Sequence, residues 1–361
     1  MDYVKELNRL IATVVAEGAS DLHLAAFRKP HIRVSGSLLP LVKERELTAE
    51  DSLKLGLVLM GEENRARFEQ FRDIDFAWSY VPPAGESNGK GARFRGNVYY
   101  QQGSVSLALR HIPSTIQSFA ELKLPLVLND FAHKKQGFFL VVGPVGQGKS
   151  TTLASMVNVI NAERSEHIVT IEDPIEYLFP PARSLVDQRE VRFDTPDFHA
   201  ALKAMFRQDV NVALIGEMRD PETISTAVTA AETGHLVLST LHTNSASQTI
   251  DRIIDSFPAD QQAQIAVQLS STLLGVFSQR LVPRISGGLI PAYELLINNY
   301  AVGNLIRERR TNEINVVIET SSEQGMIDMN HSLVELVRQG EISSENAYVH
   351  SLNPRGLERL I

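Results

Sequence analysis

The residue types with the clearest chemistry lie in one glycine-rich segment with the spacing G-x-x-x-x-G-K-S. Glycines give a loop room to wrap around a polyphosphate with its backbone N–H groups pointing inward. Lys149 would neutralise the β- and γ-phosphate oxygens, and the hydroxyl of Ser150 would be a ligand of Mg²⁺. The segment therefore predicts a site for ATP and Mg²⁺ formed by Gly143, Pro144, Val145, Gly146, Gln147, Gly148, Lys149, Ser150 and Thr151.

Two later glutamates are candidates for catalysis because each follows a strand-like apolar run. Glu176 closes an acidic segment after residues 169–171, and Glu217 follows residues 212–215. Ligands bind at the carboxyl ends of the strands in an open parallel sheet. An acid at a strand end is often only solvated. The place of Glu217 downstream of a phosphate loop favours instead a Walker B acid, which orients the attacking water or the Mg²⁺ shell.

Two histidines and three arginines have an ambiguous spacing. His235 and His242 flank one strand-like run, where a histidine is as often structural as functional. Arg93 and Arg95 share one face of a predicted strand, and Arg110 ends the next strand. Arginines on one face can grip a phosphate, but a solvated, charged edge strand has the same pattern.

The elements around these residues predict an α/β protein of two domains. Residues 138–142 form an apolar run of strand length before the phosphate loop, and residues 151–160 have helical spacing after it. Such strands and helices alternate beyond this point, which predicts a parallel sheet with helices on both faces. We expect a small α+β domain over 1–112, a linker over 113–125, and an ATPase domain over 126–361 with C-terminal helices from about 290.

Several local patterns are specific enough to test. They predict a helix over 3–16 with Val4 on its buried face, a hairpin over 31–41 that turns at 35–37, and a capping box at 48–51. A loop is expected over 82–91. Apolar residues at 265, 269, 273, 276 and 277 are interpreted as one helix face.

The composition narrows the class of protein. The 361 residues include no cysteine, which excludes disulfides and thiolate metal sites. No apolar run approaches the roughly 20 residues of a membrane span, and the first residues lack a signal-peptide core, so we expect a cytoplasmic protein. The net charge of −8 disfavours nucleic acid as the main partner.

Four longer segments occur together in this chain: GPVGQGKSTTLASM, TIEDPIEY, LIGEMRDPETI and AAETGHLVLSTLHTNSASQTIDRIID. In this order they resemble the Walker A, aspartate-box, Walker B and histidine-box motifs of the secretion and pilus ATPase superfamily, and most closely its PilT family of type IV pilus retraction ATPases. The resemblance spans nearly the whole chain. It implies a PAS-like N-terminal domain, a RecA-like C-terminal domain, a ring of six identical subunits, and ATP hydrolysis that drives pilus disassembly.

The same resemblance implies roles for single residues and for partners. It makes Glu176 the catalytic base, Glu217 the Walker B acid, and His235 and His242 the histidine-box pair. Three arginines would act near nucleotide: Arg93, Arg95 and Arg110. The implied partner is a platform protein of the pilus machine, which would hold the ATPase at the inner face of the cytoplasmic membrane. A second retraction ATPase is also an expected partner, because of the glycine at 303.

The sequence departs from the family pattern at three places, and each departure leads to an expectation about binding or about motor function. Gln147 replaces the usual serine of the phosphate loop, and binding should survive because the loop works through backbone N–H groups. Residues 207–211 read RQDVN instead of R-E-D-P-D before Walker B, which would alter communication between subunits. Gly303 replaces the first arginine of a C-terminal A-I-R-N-L-I-R signature, so we expect weak retraction by this protein alone.

Other functions stay open at this point. A pilus-assembly or secretion ATPase of the same superfamily would share the catalytic boxes, but commonly carries a long N-terminal extension and a four-cysteine zinc insert. An accessory ATP-binding subunit with little turnover is a second alternative, against which the intact Lys149 and Glu217 argue. A RecA-like nucleic-acid motor is a third, and it is disfavoured because the chain lacks a basic, aromatic stacking surface.

Overall fold

The computed structural model describes residues 2–34, 37–81, 91–112, 115–218 and 220–361. They form two compact units, one of Met1–Thr115 with Pro174–Leu178 and the other of Ile116–Asp173 with Phe179–Ile361. The centre of the predicted turn at 35–37, most of the loop predicted over 82–91 and the start of the predicted linker at 113 lie outside the described residues.

The first unit is built on an antiparallel sheet with the strand order β3-β2-β1-β6-β5-β4. Helices α1 and α2 contribute to one apolar core on this sheet, centred on Leu7, Leu55, Phe94 and Leu107. The described elements are α1 (Tyr3–Ala16), β1 (Asp21–Ala25), β2 (His31–Val34), β3 (Ser37–Pro40), α2 (Ala49–Leu59), α3 (Glu62–Phe71), β4 (Asp73–Tyr80), β5 (Ala92–Gln101) and β6 (Ser104–Ile112).

Local sequence signals account for much of this unit. Helix α1 has the predicted bounds, although Val4 is 54% exposed and Leu10 takes its place in the core. The predicted capping box is confirmed, since Asp51 N donates to the Thr48 hydroxyl and Thr48 N donates to the Asp51 carboxylate. The interpretation of the Arg93 strand as an edge strand was wrong, because β5 lies between β6 and β4.

The second unit is built on a sheet with the strand order β13-β12-β7-β11-β10-β8-β9, parallel except for the pair β12–β13. Its described strands are β7 (Gly137–Val142), β8 (His167–Glu172), β9 (Leu185–Glu190), β10 (Val212–Ile215), β11 (Leu236–Leu241), β12 (Leu273–Pro283) and β13 (Leu289–Ile297). Its described helices are α4 (Leu128–Ala132), α5 (Lys149–Glu163), α6 (Phe198–Met205), α7 (Pro221–Glu232), α8 (Ala246–Asp255), α9 (Gln262–Thr272), α10 (Tyr300–Arg307), α11 (Ile314–Thr320), α12 (Met329–Arg338), α13 (Ser344–His350) and α14 (Pro354–Leu357).

Helices cover both faces of this sheet, as predicted. Successive side chains of β7 point to opposite faces, so Phe138 and Leu140 join one buried cluster while Phe139 and Val141 join another. All six residues of β7 are buried, which is typical of a central parallel strand. No helix among the described residues has both the length and the hydropathy to cross a bilayer.

The prediction of a continuous helix face over 265–277 was wrong. Helix α9 ends at Thr272 and the chain continues as β12, which pairs with β7 on one side and β13 on the other. Strand β12 is buried on both faces, so its apolar residues carry no alternating signal. The C-terminal helices begin at Tyr300 and not at 290, because β13 occupies Leu289–Ile297.

Candidate functional site

The phosphate loop joins the end of β7 to the start of α5. Gly143, Gly146 and Gly148 have φ values of 147°, 78° and 78°, a region that favours glycine. A Cβ at Gly143 would also collide with the carbonyl oxygen of Gln279 on the neighbouring strand. Gly143 is therefore required both by its backbone conformation and by the packing of the loop against β12, and the backbone conformations at 146 and 148 also favour glycine.

Lys149 lies inside this loop. Its side chain is only 7% exposed, and its Nζ donates to the carbonyl oxygens of Gly143 and Pro144, each at 2.9 Å. The same Nζ lies 3.3 Å from Nδ1 of His242. Carbonyl oxygens hold the ammonium at the point where phosphate oxygens would replace them.

Glu217 stands at the carboxyl edge of the sheet, two residues beyond β10. Its backbone is held there because Gly216 N donates to Ile171 O at 2.8 Å and the Thr240 hydroxyl donates to Gly216 O at 2.6 Å. Oε2 of Glu217 lies 3.6 Å from Nε2 of His242. His242 thus lies between Lys149 and Glu217, the cation and the carboxylate predicted for the site.

The second histidine of the pair, His235, lies at the opposite end of the strands, their amino-terminal end. His235 precedes β11 and His242 follows it, so the two are seven residue steps apart, about 23 Å at 3.3 Å per residue. Nδ1 of His235 donates to Ala230 O at 2.9 Å, and its ring packs edge-on against Phe206. The structure therefore does not bring His235 to the phosphate loop of its own subunit, and its contacts are those of a residue that fixes the end of α7.

Glu176 and the arginines belong to the first unit. The segment Pro174–Leu178 groups with that unit, and Arg93 Nε donates to Ile175 O at 3.1 Å, beside Glu176. Arg95 and Arg110 face each other across β5 and β6 on the face opposite Phe94. The structure thus gathers the predicted arginines on one face of this sheet.

Asp21 is a member of this arginine group that the sequence patterns did not single out. Its carboxylate is 7% exposed, accepts from Arg110 Nε at 2.9 Å and lies 3.6 Å from Arg33 Nε. Burial pushes the pKa of Asp21 upward, but hydrogen bonds from Ser20 and Arg110 outweigh it and hold the pKa below its usual value. Asp21 is therefore ionised and fixes one end of Arg110, while 69% of the arginine side chain stays exposed.

The chain is similar to known proteins over most of its length. The family model of type II/IV secretion system proteins matches residues 102–346. The chain is 42% identical over 346 residues to the type IV pilus retraction ATPase PilT of Pseudomonas aeruginosa, covering 95% of this chain and 97% of that protein. It is 39% identical over 357 residues to the type IV pilus ATPase PilU of the same organism, covering 99% and 91%. A crystal structure of the pilus retraction motor PilT with bound ADP is similar at a TM-score of 0.89 and 45% identity, covering 98% of both chains.

Proposed function

Since this chain belongs to the family of type II/IV secretion system proteins, and within it to the PilT-like pilus ATPases, we propose that it is a hexameric motor in which ATP hydrolysis powers the retraction of type IV pili. The observation that carries this proposal is the contiguous group of Lys149, His242 and Glu217 at a phosphate loop. The near full-length identity to a pilus retraction ATPase supports the direction of the movement.

The phosphate loop is the ATP site in this proposal. Lys149 would exchange the carbonyl oxygens of Gly143 and Pro144 for β- and γ-phosphate oxygens, and the backbone N–H groups of the loop and of the first turn of α5 would bind the rest. The hydroxyl of Ser150, which is exposed at the start of α5, would be a protein ligand of Mg²⁺, as the loop Ser or Thr is in such sites. Bound Mg²⁺ would neutralise the negative charge that the γ-phosphate develops.

The two carboxylates have separate tasks. Glu217, held at the carboxyl edge of the sheet, would orient the attacking water or the Mg²⁺ shell, and Glu176 would accept a proton from that water as it attacks. His242 would hold Glu217 in place and register whether Lys149 is engaged with phosphate, because it contacts both groups.

Assembly would complete the site. Arg110 is well exposed on the first unit and anchored at one end, which is the geometry of a residue that reaches a phosphate on another subunit. We further propose that the ring acts on a platform protein at the inner face of the cytoplasmic membrane, and beside a second retraction ATPase.

The test is pilus retraction in cells. A bacterium that lacks its own retraction ATPase is supplied with this chain or with its Glu217→Gln variant, and retraction of labelled pili is counted. We expect retraction with the wild-type chain and none with the variant. Pili that retract equally often with both would overturn the proposal, and so would pili that only lengthen when the wild-type chain is present, which is the outcome expected of an assembly ATPase.

A further inference from the structure

The side chain of Gln279 ties the phosphate loop to a strand that contributes nothing to the nucleotide motif. Gln279 lies in β12, next to β7, and only 2% of it is exposed. Its Nε2 donates to the backbone oxygen of Gln147 at 2.8 Å, and its Oε1 accepts from the Thr152 hydroxyl at 2.7 Å. One buried amide therefore holds both the middle of the loop and the first turn of α5.

The chemistry of the partners fixes this amide in one orientation. The carbonyl of Gln147 can only accept, so it must face the NH₂ group, and the Oε1 atom is then left for the hydroxyl of Thr152. Both buried polar atoms of Gln279 are satisfied, and replacement of the amide would leave Gln147 O and the Thr152 hydroxyl without these bonds.

The anchored carbonyl also orients an N–H group. In a trans peptide the C=O of one residue and the N–H of the next point in opposite directions. The bond from Gln279 to Gln147 O therefore directs the N–H of Gly148 away from β12. A backbone oxygen is used for the anchor, and the N–H groups stay available for phosphate.

Gln147 adds a second tie through its own side chain. Its Oε1 accepts from the backbone N–H of Leu281 at 2.7 Å, two residues beyond Gln279. A serine, the residue that the family pattern leads one to expect here, is too short to place an oxygen at that distance from its backbone. The departure at this position thus has a structural consequence that the sequence pattern did not reveal.

We propose that Gln279 is a positioning residue that holds the phosphate loop in its anion-binding shape before nucleotide arrives, and that Gln147 reinforces the same anchor in this chain. The inference rests on the proposed ATP-binding function. A loop held in its bound shape loses little conformational freedom on binding, so the anchor raises affinity without contacting the ligand.

The main test compares affinity and stability in Gln279→Met, a substitution of similar length that removes both hydrogen bonds. The dissociation constant of a fluorescent ATP analogue should rise about tenfold, as expected for the loss of hydrogen bonds to two buried groups. The matched control is Asn298→Leu, because the Asn298 amide likewise makes two hydrogen bonds, both of them to backbone oxygens, those of Ser270 and Leu273, and neither of them to the phosphate loop. The control should lower the melting temperature without nucleotide and leave the dissociation constant unchanged.

Two further variants keep the test decisive if Gln279→Met is poorly folded. Gln147→Ser removes only the bond to Leu281 N, and its dissociation constant should rise about two- to threefold. Gln279→Glu places an acceptor where a donor is needed, so nucleotide affinity should improve as pH falls and the introduced carboxyl gains a proton, in contrast to the wild type.

The outcomes distinguish a failure of the positioning role of Gln279 from a failure of the proposed ATP-binding function. A wild-type protein that does not bind the analogue would overturn the ATPase proposal and this inference together. Tight binding by the wild type with equal affinity in Gln279→Met, or an equal loss of affinity in Asn298→Leu, would overturn the positioning role alone.

Discussion

The imidazole of His242 lies between two groups of opposite charge, 3.3 Å from Nζ of Lys149 and 3.6 Å from Oε2 of Glu217. An ammonium can only donate, so Nδ1 of the ring must be the acceptor and Nε2 faces the carboxylate with its proton. A bound phosphate that draws Lys149 away from the loop carbonyls would change the contact between Lys149 and Nδ1 of His242. At the scale of residues, this arrangement would couple occupancy of the loop to the carboxylate of Glu217 in the proposed mechanism.

The first prediction separates binding from hydrolysis. Lys149→Ala should weaken nucleotide binding because it removes the charge that neutralises the phosphates, whereas Glu217→Gln should bind nucleotide and lose turnover. Nucleotide affinity is measured by titration and turnover by phosphate release. Wild-type turnover in Glu217→Gln would show that this carboxylate is not needed for the reaction.

At the scale of elements, β12 and β13 hold two segments of the site in place: the phosphate loop and the segment that follows His242. The phosphate loop contacts β12 through Gln279 on one face. On the other face the Ser278 hydroxyl donates to Asn244 O, and the carboxylate of Glu294 in β13 accepts from Ala246 N at the start of α8. The segment that follows His242 is therefore fixed by the strands that the sequence patterns did not predict.

The second prediction concerns the buried carboxyl of Glu294. Its pKa is raised from 4.5 to about 7. Burial is the main cause and the charge of Asp328 adds to the rise, while the bond from Ala246 N and the charge of Arg280 oppose it. The folded state keeps this proton where the unfolded chain has lost it, so the free energy of unfolding should fall as pH rises from 4.5 to about 7, by about 3 kcal/mol. Above that range this group should add no further change.

Urea unfolding at a series of pH values checks this behaviour. Glu294→Gln keeps an acceptor for Ala246 N and removes the titration, so it should be more stable than the wild type at pH 8, by at most the same amount. Glu319→Gln on the exposed surface of α11 is the control and should keep the wild-type pH profile. A Glu294→Gln variant that is less stable than the wild type at pH 8 would contradict this prediction, because it would show that the ionised carboxylate stabilises the fold more than a neutral group does.

The third prediction concerns Gly303 in α10. Gly303 is buried in α10, and an added Cβ would lie 3.3 Å from Ser270 O at the end of α9. An arginine must therefore displace α10 by a few tenths of an ångström before its charge reaches solvent. We still expect Gly303→Arg to raise the frequency of retraction and to leave ATP turnover within about twofold, since α10 supplies no residue to the phosphate loop.

Pilus imaging and phosphate release on the same variant decide this point. Gly303→Ala is the matched control, because it adds the Cβ without the charge and should leave retraction as it is. The Gly303 interpretation fails if the wild type already retracts pili strongly by itself, or if Gly303→Arg changes turnover and not retraction.

At the scale of the whole molecule, the face of the first unit that carries Arg93, Arg95 and Arg110 is the feature that indicates a role for a neighbouring subunit. Arg110 is fixed at one end by Asp21 and is exposed at the other. An arginine supplied in trans can be worth about 10³ or more in rate. Activity should therefore depend on assembly, and specific activity should rise with protein concentration.

The fourth prediction is that two inactive variants complement each other. Lys149→Ala subunits, which bind nucleotide weakly, are mixed with Arg110→Ala subunits, which should bind it normally, and phosphate release should recover in mixed rings. Arg110→Ala is a cleaner choice than Arg93→Ala, because Arg93 donates to Ile175 O beside Glu176 and its loss would disturb the proposed base in the same subunit. Mixed rings that are confirmed by mass and remain inactive would reject the trans arginine.

Sequence alone determined the features that depend on neighbours along the chain. The phosphate loop with its strand and helix, the capping box at Thr48 and the strand ending before Glu217 are each specified within a few residues. Local backbone conformation and hydrogen bonding follow from such short patterns.

Tertiary structure decided the features that depend on which strands are neighbours in the sheets. It placed β5 inside its sheet, and it made a strand of 273–283, because burial on both faces removes the periodicity that a pattern needs. It set His235 at the edge opposite the phosphate loop, and it joined Gln279 to Thr152, a residue 127 positions away. The distances between these groups are fixed by the order of strands in the sheet, and no spacing along the chain encodes that order.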